Sequence, residues 1–218
     1  SCLLTHRGST ALDILWSMIP LRPGDEVVMS TITYAGVADS VIRAGGVPVL
    51  VDTHPAGLTA GARELSTGLS TRTRVLMATH VLGQPCHAAD IRELADHHGV
   101  LCIEDCAHAF GVTMNGRPAG SFGHAAVFSF GFEKHLTTGR GGALLFHEPG
   151  RFAQESDLGP ASRASDLDTL LGAWLEFHGS HPALCRFPFR LDRTGHEALS
   201  DVPSLRQRLL ACARTGKV

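Results

Sequence analysis

Long apolar runs are missing from this sequence. None approaches the roughly 20 residues that a helix needs to cross a bilayer, and no leader of the secretory kind is visible. A cytoplasmic protein with no membrane partner is therefore expected. Cysteine is sparse and unpatterned: Cys2, Cys86, Cys102, Cys106, Cys185 and Cys212 form no C-x-x-C pair. That spacing excludes a disulfide-stapled fold and suits small buried hydrophobes in a reducing compartment. The 13 histidines form no H-E-x-x-H and no Cys/His cluster, so no metal site is expected. Neither sign of charge dominates: 19 Lys and Arg face 21 Asp and Glu, for a net charge of −2. Without a basic stripe, nucleic acid is excluded as a partner. No G-x-G-x-x-G or Walker-type loop follows the first predicted strand, which argues against an ordinary nucleotide-binding α/β protein. There is also no internal repeat and no low-complexity tract.

What is present can fill a core. Hydrophobic residues make up 44% and charged residues 18% of 218 residues, which suits one sizeable globular domain. Apolar, β-branched runs at Glu26–Met29, Val47–Val51, Val75–Ala78, Val100–Glu104, Ala126–Phe130 and Ala143–Phe146 read as strands. Their continuous apolarity suits a mostly parallel sheet buried on both faces. Between them, Ser9–Ile19, Ala35–Ala44 and Ala88–His97 read as helices, and Pro23-Gly24-Asp25 marks a turn. The alternation predicts an α/β fold with crossover helices, whose ligands lie beyond the carboxyl ends of the strands. After Pro149 the pattern changes. Gly150–Asp166 reads as loop, Leu167, Leu170, Leu171, Trp174 and Leu175 share one helix face, Gly179–Arg190 looks irregular, and Ser204–Ala213 looks helical. The expected division is thus a core over residues 1–149 and a divergent, partly helical tail over 150–218. The chain opens on Ser1 rather than Met, almost on its first motif, which suggests a processed or partial chain.

Four local features carry chemistry. Gly8-Ser9-Thr10 opens a helix, where free N–H groups, a positive dipole end and hydroxyls can receive a phosphate; alone, it also fits an ordinary N-cap. Tyr34, the single tyrosine, follows the first predicted strand, where an aromatic can stack on a planar ring or simply pack at a boundary. Asp105, at the end of the apolar run before it, can pair with a protonated pyridine nitrogen or serve as a loop acid. Lys134 follows the run Ala126–Phe130 and precedes Gly139, Gly141 and Gly142. A lysine amine can form an imine with an aldehyde cofactor when burial or neighbours lower its pKa, although most lysines are solvated surface charges.

Taken in order, these segments resemble the DegT/DnrJ/EryC1/StrS family of aminotransferases that use pyridoxal 5′-phosphate (PLP). The resemblance rests on Gly8-Ser9-Thr10-Ala11-Leu12 and Pro23-Gly24-Asp25-Glu26-Val27, then on Arg43-Ala44-Gly45-Gly46 with Pro48-Val49 and Val51-Asp52. It continues through His80-Val81-Leu82-Gly83-Gln84-Pro85, Ile103 to Gly111, and Phe128-Ser129-Phe130 through Lys134 to Gly141-Gly142. It implies the large domain of a type I PLP-dependent transferase, with the small C-terminal domain missing or reduced. It also implies roles. Lys134 would hold the cofactor covalently and shuttle protons, and Asp105 would pair with the pyridine nitrogen. His108 would lie near the 3′-oxygen and Tyr34 would stack on the ring. Gly8, Ser9 and Ser129, with Thr10, would hold the phosphate. The implied reaction moves an amino group from an amino acid, glutamate above all, to a keto group of a nucleotide-linked sugar, in a homodimer.

From Gly150 onward the chain no longer follows the family, its Asn-Tyr-Arg-type segment is not found, and Arg140 stands where an acid is common. A shortened chain is therefore expected, and two further readings stay open. One is a non-catalytic scaffold or regulatory module built on the same fold. The other is a PLP-dependent sugar dehydratase, against which Lys134 speaks, since those enzymes typically carry His at that position.

Overall fold

A computed structural model describes residues 2–152. The expected helices around Leu167–Leu175 and over Ser204–Ala213, the irregular stretch Gly179–Arg190, and the predicted loop beyond Phe152 lie outside the described residues. Nine strands and four α-helices follow one another in the described part: β1 (Cys2–Thr5), α1 (Gly8–Met18), β2 (Glu26–Ser30), α2 (Ala35–Arg43), β3 (Val47–Val51), α3 (Ala62–Ser66), β4 (Thr73–Thr79), α4 (Ala88–His98), β5 (Leu101–Asp105), β6 (Thr113–Met114), β7 (Arg117–Pro118), β8 (Ala125–Ser129) and β9 (Gly142–Phe146). One short 3-10 turn, Pro149–Arg151, follows.

Seven strands form one sheet in the order β1-β9-β8-β5-β4-β2-β3. Neighbours from β8 to β3 run parallel, whereas β9 is antiparallel to both β8 and β1. The mostly parallel sheet follows from strands without a polar face: all five residues of β2 are buried, as are all but one of β4. Alternate side chains then divide between two helical layers. Val27, Met29, Val75, Met77, Ile103, Val127 and Leu144 pack with Leu12, Leu15 and Trp16 of α1 and Val37 and Val41 of α2. Val28, Leu76, Ala78 and Cys102 face the other way, against Leu65 of α3 and Ala88, Ile91 and Ala95 of α4. Each fully buried Leu, Ile or Met contributes about 1.5–3 kcal/mol. A polar tie also crosses the first layer: Trp16 Nε1 donates to Ser40 Oγ at 2.8 Å, which donates onward to the Val37 carbonyl at 2.6 Å.

Boundaries differ from the sequence expectation where packing decides them. β5 runs to Asp105, so that aspartate is the last residue of a buried strand. β8 covers Ala125–Ser129 and releases Phe130, whose N–H still donates to the Gly141 carbonyl at 2.9 Å. Besides the short helix α3 and the 3-10 turn, neither of which was expected, a hairpin and an edge strand are additions to the sequence expectation. The β6–β7 hairpin turns at Asn115-Gly116, both with positive φ (50° and 75°), the usual chemistry of a two-residue hairpin. Short β1 pairs Cys2 with Leu145 through to Thr5 with Gly142 and so delivers the chain to α1. Cys86, Cys102 and Cys106 are buried free thiols and Cys2 is exposed. Among the described residues no helix is long and apolar enough to cross a membrane.

The passage from β1 into α1 needs a bare backbone at Gly142. A methyl there would lie 2.7 Å from the Arg7 carbonyl group and from the Gly8 nitrogen. Gly142→Ala is expected to cost about 1–3 kcal/mol by overpacking, seen as a lower urea midpoint. Gly150→Ala, whose added methyl meets nothing within 4 Å, should leave the midpoint unchanged.

Candidate functional site

The carboxyl ends of β4, β5 and β8 lie side by side. The register pairs Thr79 with Asp105 and Asp105 with Val127, so these three side chains share the sheet face covered by α1. Ser129 is two residues beyond Val127 on that face. There α1 begins: a methyl on Gly8 would sit 2.8 Å from Ser129 Cβ and 3.0 Å from its Oγ. The glycine therefore lets the helix start approach the end of β8 closely. Arg7 stands at the N-cap without a capping side-chain hydrogen bond, and the first turn holds no acid. The first intrahelical bond runs from the Ala11 N–H to the Arg7 carbonyl at 3.1 Å, which leaves the amides of Gly8, Ser9 and Thr10 without an intrahelical acceptor. An uncapped helix start flanked by the hydroxyls of Ser9, Thr10 and Ser129 suits a phosphate.

Asp105 is buried. Burial pushes its pKa up, while the Ala107 N–H and the charges of His80, His108 and Lys134 act against that rise. The Ala107 bond reaches Oδ1 at 3.0 Å. Among the described residues Asp105 makes no ion pair, so a buried carboxylate faces the site with one backbone donor. A cationic ring nitrogen is the chemistry that would offset its burial. His108 is half-buried; burial first and then the Lys134 charge pull its pKa down, with Asp105 opposing. Lys134 is itself half-buried, in a loop pinned by the Lys134 N–H to the Gly131 carbonyl at 3.1 Å and the Thr138 N–H to the Phe130 carbonyl at 3.1 Å. The structure thus brings Asp105, His108 and Lys134 into electrostatic contact, and sets Gly8, Ser9, Thr10 and Ser129 together at the neighbouring corner. These residues fit PLP. Tyr34 is not drawn into that group: it begins α2, is 71% exposed, and lays its ring over Gly36.

His80 and Glu104 lie in the sequence motifs that carry the resemblance, but no role was expected of either. Glu104 is fully buried and accepts N–H bonds from Phe122 and Gly123 at Oε1 (both 2.6 Å) and from Gly120 at Oε2 (2.8 Å). His80 Nε2 lies 3.3 Å from the same Oε2, and the Cys86 N–H donates to His80 Nδ1 at 3.2 Å. That donor leaves Nδ1 as the acceptor, so the ring proton sits on Nε2, facing Glu104. Burial alone would raise the Glu104 pKa, but the hydrogen bonds from His80, Gly123, Gly120 and Phe122 outweigh it and hold the group below its ordinary 4.5. His80, Glu104 and Cys106 bring potential metal-ligating atoms within 4.8 Å of one another. Both Glu104 oxygens are already engaged, and burial followed by the Glu104 charge keeps the Cys106 thiol protonated well above its usual range. This cluster is satisfied internally. Its signal in the sequence was a Glu adjoining Asp105 and a His one residue past an apolar strand.

Residues 1–158 match the DegT/DnrJ/EryC1/StrS aminotransferase family. A GDP-perosamine synthase of Caulobacter vibrioides is 40% identical over 143 residues, covering 66% of this chain and 38% of that protein. The aminotransferase TlmJ of Streptoalloteichus hindustanus superposes with a TM-score of 0.66 at 33% identity, over 69% of this chain and 41% of TlmJ. DesV of S. venezuelae, solved in complex with a ketimine intermediate, gives a TM-score of 0.64 at 34% identity, over 69% and 41% of the two chains. The chain spans well under half the length of the curated relatives it matches.

Because Glu104 holds three amides and His80, Glu104→Ala is expected to lower stability by about 3 kcal/mol at neutral pH, measured by urea unfolding. Its depressed pKa sets the sign of the pH effect. The contribution is full above 4.5 and is lost as pH falls through the lower folded value. The stability difference between wild type and Glu104→Gln should therefore shrink below about pH 4.5; a gap that stays constant into acid contradicts this account.

Proposed function

This chain belongs to the DegT/DnrJ/EryC1/StrS aminotransferase family, and we propose that the carboxyl edge of its sheet binds PLP through Lys134. The proposed activity transfers an amino group from an amino-acid donor, glutamate in the first instance, to a keto group of a nucleotide-linked sugar. The observation that carries this reading is the convergence of buried Asp105, His108 and Lys134 beside an uncapped helix start with three hydroxyls. When bound, PLP supplies an electron sink and carries the nitrogen between the two half-reactions.

The chain's own residues divide the remaining work. Asp105 holds the positive charge of the ring nitrogen where burial has removed water, so the pairing is stronger than it would be in solution. Lys134, on a loop rather than a strand, would hold the group through its amine, and its free amine would be the base that moves a proton at the substrate carbon bearing nitrogen. His108 orients the ring from the side of the 3′-oxygen. The amides of Gly8, Ser9 and Thr10, with Ser129, fix the phosphate. Tyr34 would stack on the ring, as the resemblance implies. A nucleotide-sugar substrate is supported by the relative named for GDP-perosamine synthesis, and it goes with a cytoplasmic location. A homodimer belongs to the same reading: Ile32, Tyr34, Leu82, Phe110 and Leu136 are large apolar side chains exposed on loops near this edge.

The test is direct. Incubated with PLP, the protein should develop a visible absorption band and, after borohydride, carry the label on the peptide containing Lys134. Lys134→Ala should lose the label. Asp105→Asn should weaken PLP binding by about 30-fold, the equivalent of roughly 2 kcal/mol for stripping one partner from a buried charge pair. Absence of the band in wild type sinks the cofactor assignment. A band without nitrogen transfer from glutamate to any nucleotide-linked keto-sugar marks a non-catalytic scaffold instead.

A further inference from the structure

Among the described residues, two buried side-chain polar atoms lack any hydrogen-bond partner: Thr33 Oγ1 and Thr79 Oγ1. They are not scattered. Thr33 follows β2 and Thr79 ends β4, and these are adjacent strands of the sheet. Both orphans therefore lie at the carboxyl edge where Asp105 ends β5. Thr79 is the more telling of the two. It is 5% exposed, and the register places it directly beside Asp105 with its side chain on the same face.

A buried hydroxyl without a partner is costly, by about 1–3 kcal/mol, and such groups are rare in folded proteins. The positions before it on this face of β4 are Val75 and Met77, both in the apolar core. A valine at position 79 would have the same branched shape and no cost, so the hydroxyl is unexplained by packing. The neighbouring Asp105 is in a similar condition, with its single backbone donor from Ala107. Two under-satisfied polar groups stand side by side on one face at the ends of neighbouring strands, which is where a polar ligand atom would satisfy both.

We propose that Thr79 is a cofactor-binding residue, its hydroxyl bonding to the 3′-oxygen, the one polar atom attached to the PLP ring apart from the nitrogen held by Asp105. This rests on the PLP reading above. The orphan then has a cause: it is unsatisfied only while the pocket is without its ligand, and PLP completes it. Thr79 does not take part in proton transfer, and its role is to add affinity and fix the in-plane rotation of the ring.

The prediction has opposite signs in two measurements, which separates binding from packing. In the PLP-free protein, Thr79→Val should unfold at an equal or higher urea midpoint than wild type, because an unsatisfied hydroxyl is removed. In PLP titrations followed by the visible band, the same variant should show a Kd raised about fivefold, the net worth of one neutral hydrogen bond. Thr79→Ser, which keeps the hydroxyl, should restore the wild-type Kd, and Thr79→Ala serves as the second truncation. Equal Kd values for wild type and Thr79→Val overturn the proposal and leave the PLP reading standing. Weaker binding with a matching loss of PLP-free stability, not recovered by serine, assigns Thr79 to packing and also overturns it. If wild type takes up no PLP at all, the reading beneath it fails, and this assignment with it.

Discussion

Glu104 is a carboxylate with no exposed surface, and the edge of the sheet is built around keeping it satisfied. Three amides from the segment 120–123 and the His80 ring converge on its two oxygens. That set fixes how the chain enters β8 and how the end of β4 meets the end of β5, because the donors come from both sides of the strand. The His80 N–H in turn donates to the Asp105 carbonyl at 3.1 Å, and the Gly83 N–H to the His108 carbonyl at 2.9 Å. The backbone around Asp105 is thereby held from several directions before any ligand is considered.

The consequence is a division of labour between adjacent residues. Successive strand residues point to opposite faces, so Glu104 and Asp105 sit back to back. One carboxylate is saturated and its pKa is lowered; the other is buried with a single backbone donor and its pKa is raised. An unsatisfied buried acid is tolerable only where the surrounding structure over-determines its position, and Glu104 supplies that constraint. The same logic applies to α1. Its unbonded first-turn amides are a cost in a free helix, but here the start is held by β1 pairing with β9 and by the close approach at Gly142.

How much of this could be read in the sequence depended on whether the signal was local. Continuous apolar runs such as Val27-Val28-Met29 and Val75 to Ala78 announced buried parallel strands, and those strands form. Asp105, Lys134 and Ser129 were legible as candidates because each follows such a run, where α/β folds place their ligands. Cys2–Thr5 was not legible as a strand: four residues carry too little pattern, and their pairing depends on β9, well over a hundred residues away. Asn115-Gly116 did carry a local turn signal, but the strands it joins are two residues each. Glu104 and His80 were visible as letters in motifs, while their function lies in acceptors and donors that only the folded loop 120–123 brings to them. Thr79 was hidden for a different reason. A β-branched residue at a strand end is unremarkable until the absence of a partner for its hydroxyl is known.

Rigidity and freedom are distributed over this edge in a way that matches what each group would do on the proposed reading. Asp105, Thr79 and Ser129 are terminal residues of strands, whose separation is set by backbone hydrogen bonding at about 4.8 Å per strand. On the proposed reading these residues would recognise a ring and a phosphate, and such groups gain from fixed spacing, since a small misplacement weakens several contacts together. Lys134 is different. It stands on the connection between β8 and β9, closed at its base by the Phe130 N–H bond to the Gly141 carbonyl, and tightened by the turn from Gly131 to Lys134. The loop is thus anchored at its root and carries its amine on a short arm. On the proposed reading Lys134 would hold a ligand in one state and release it to move a proton in the next, a combination that a strand position would deny.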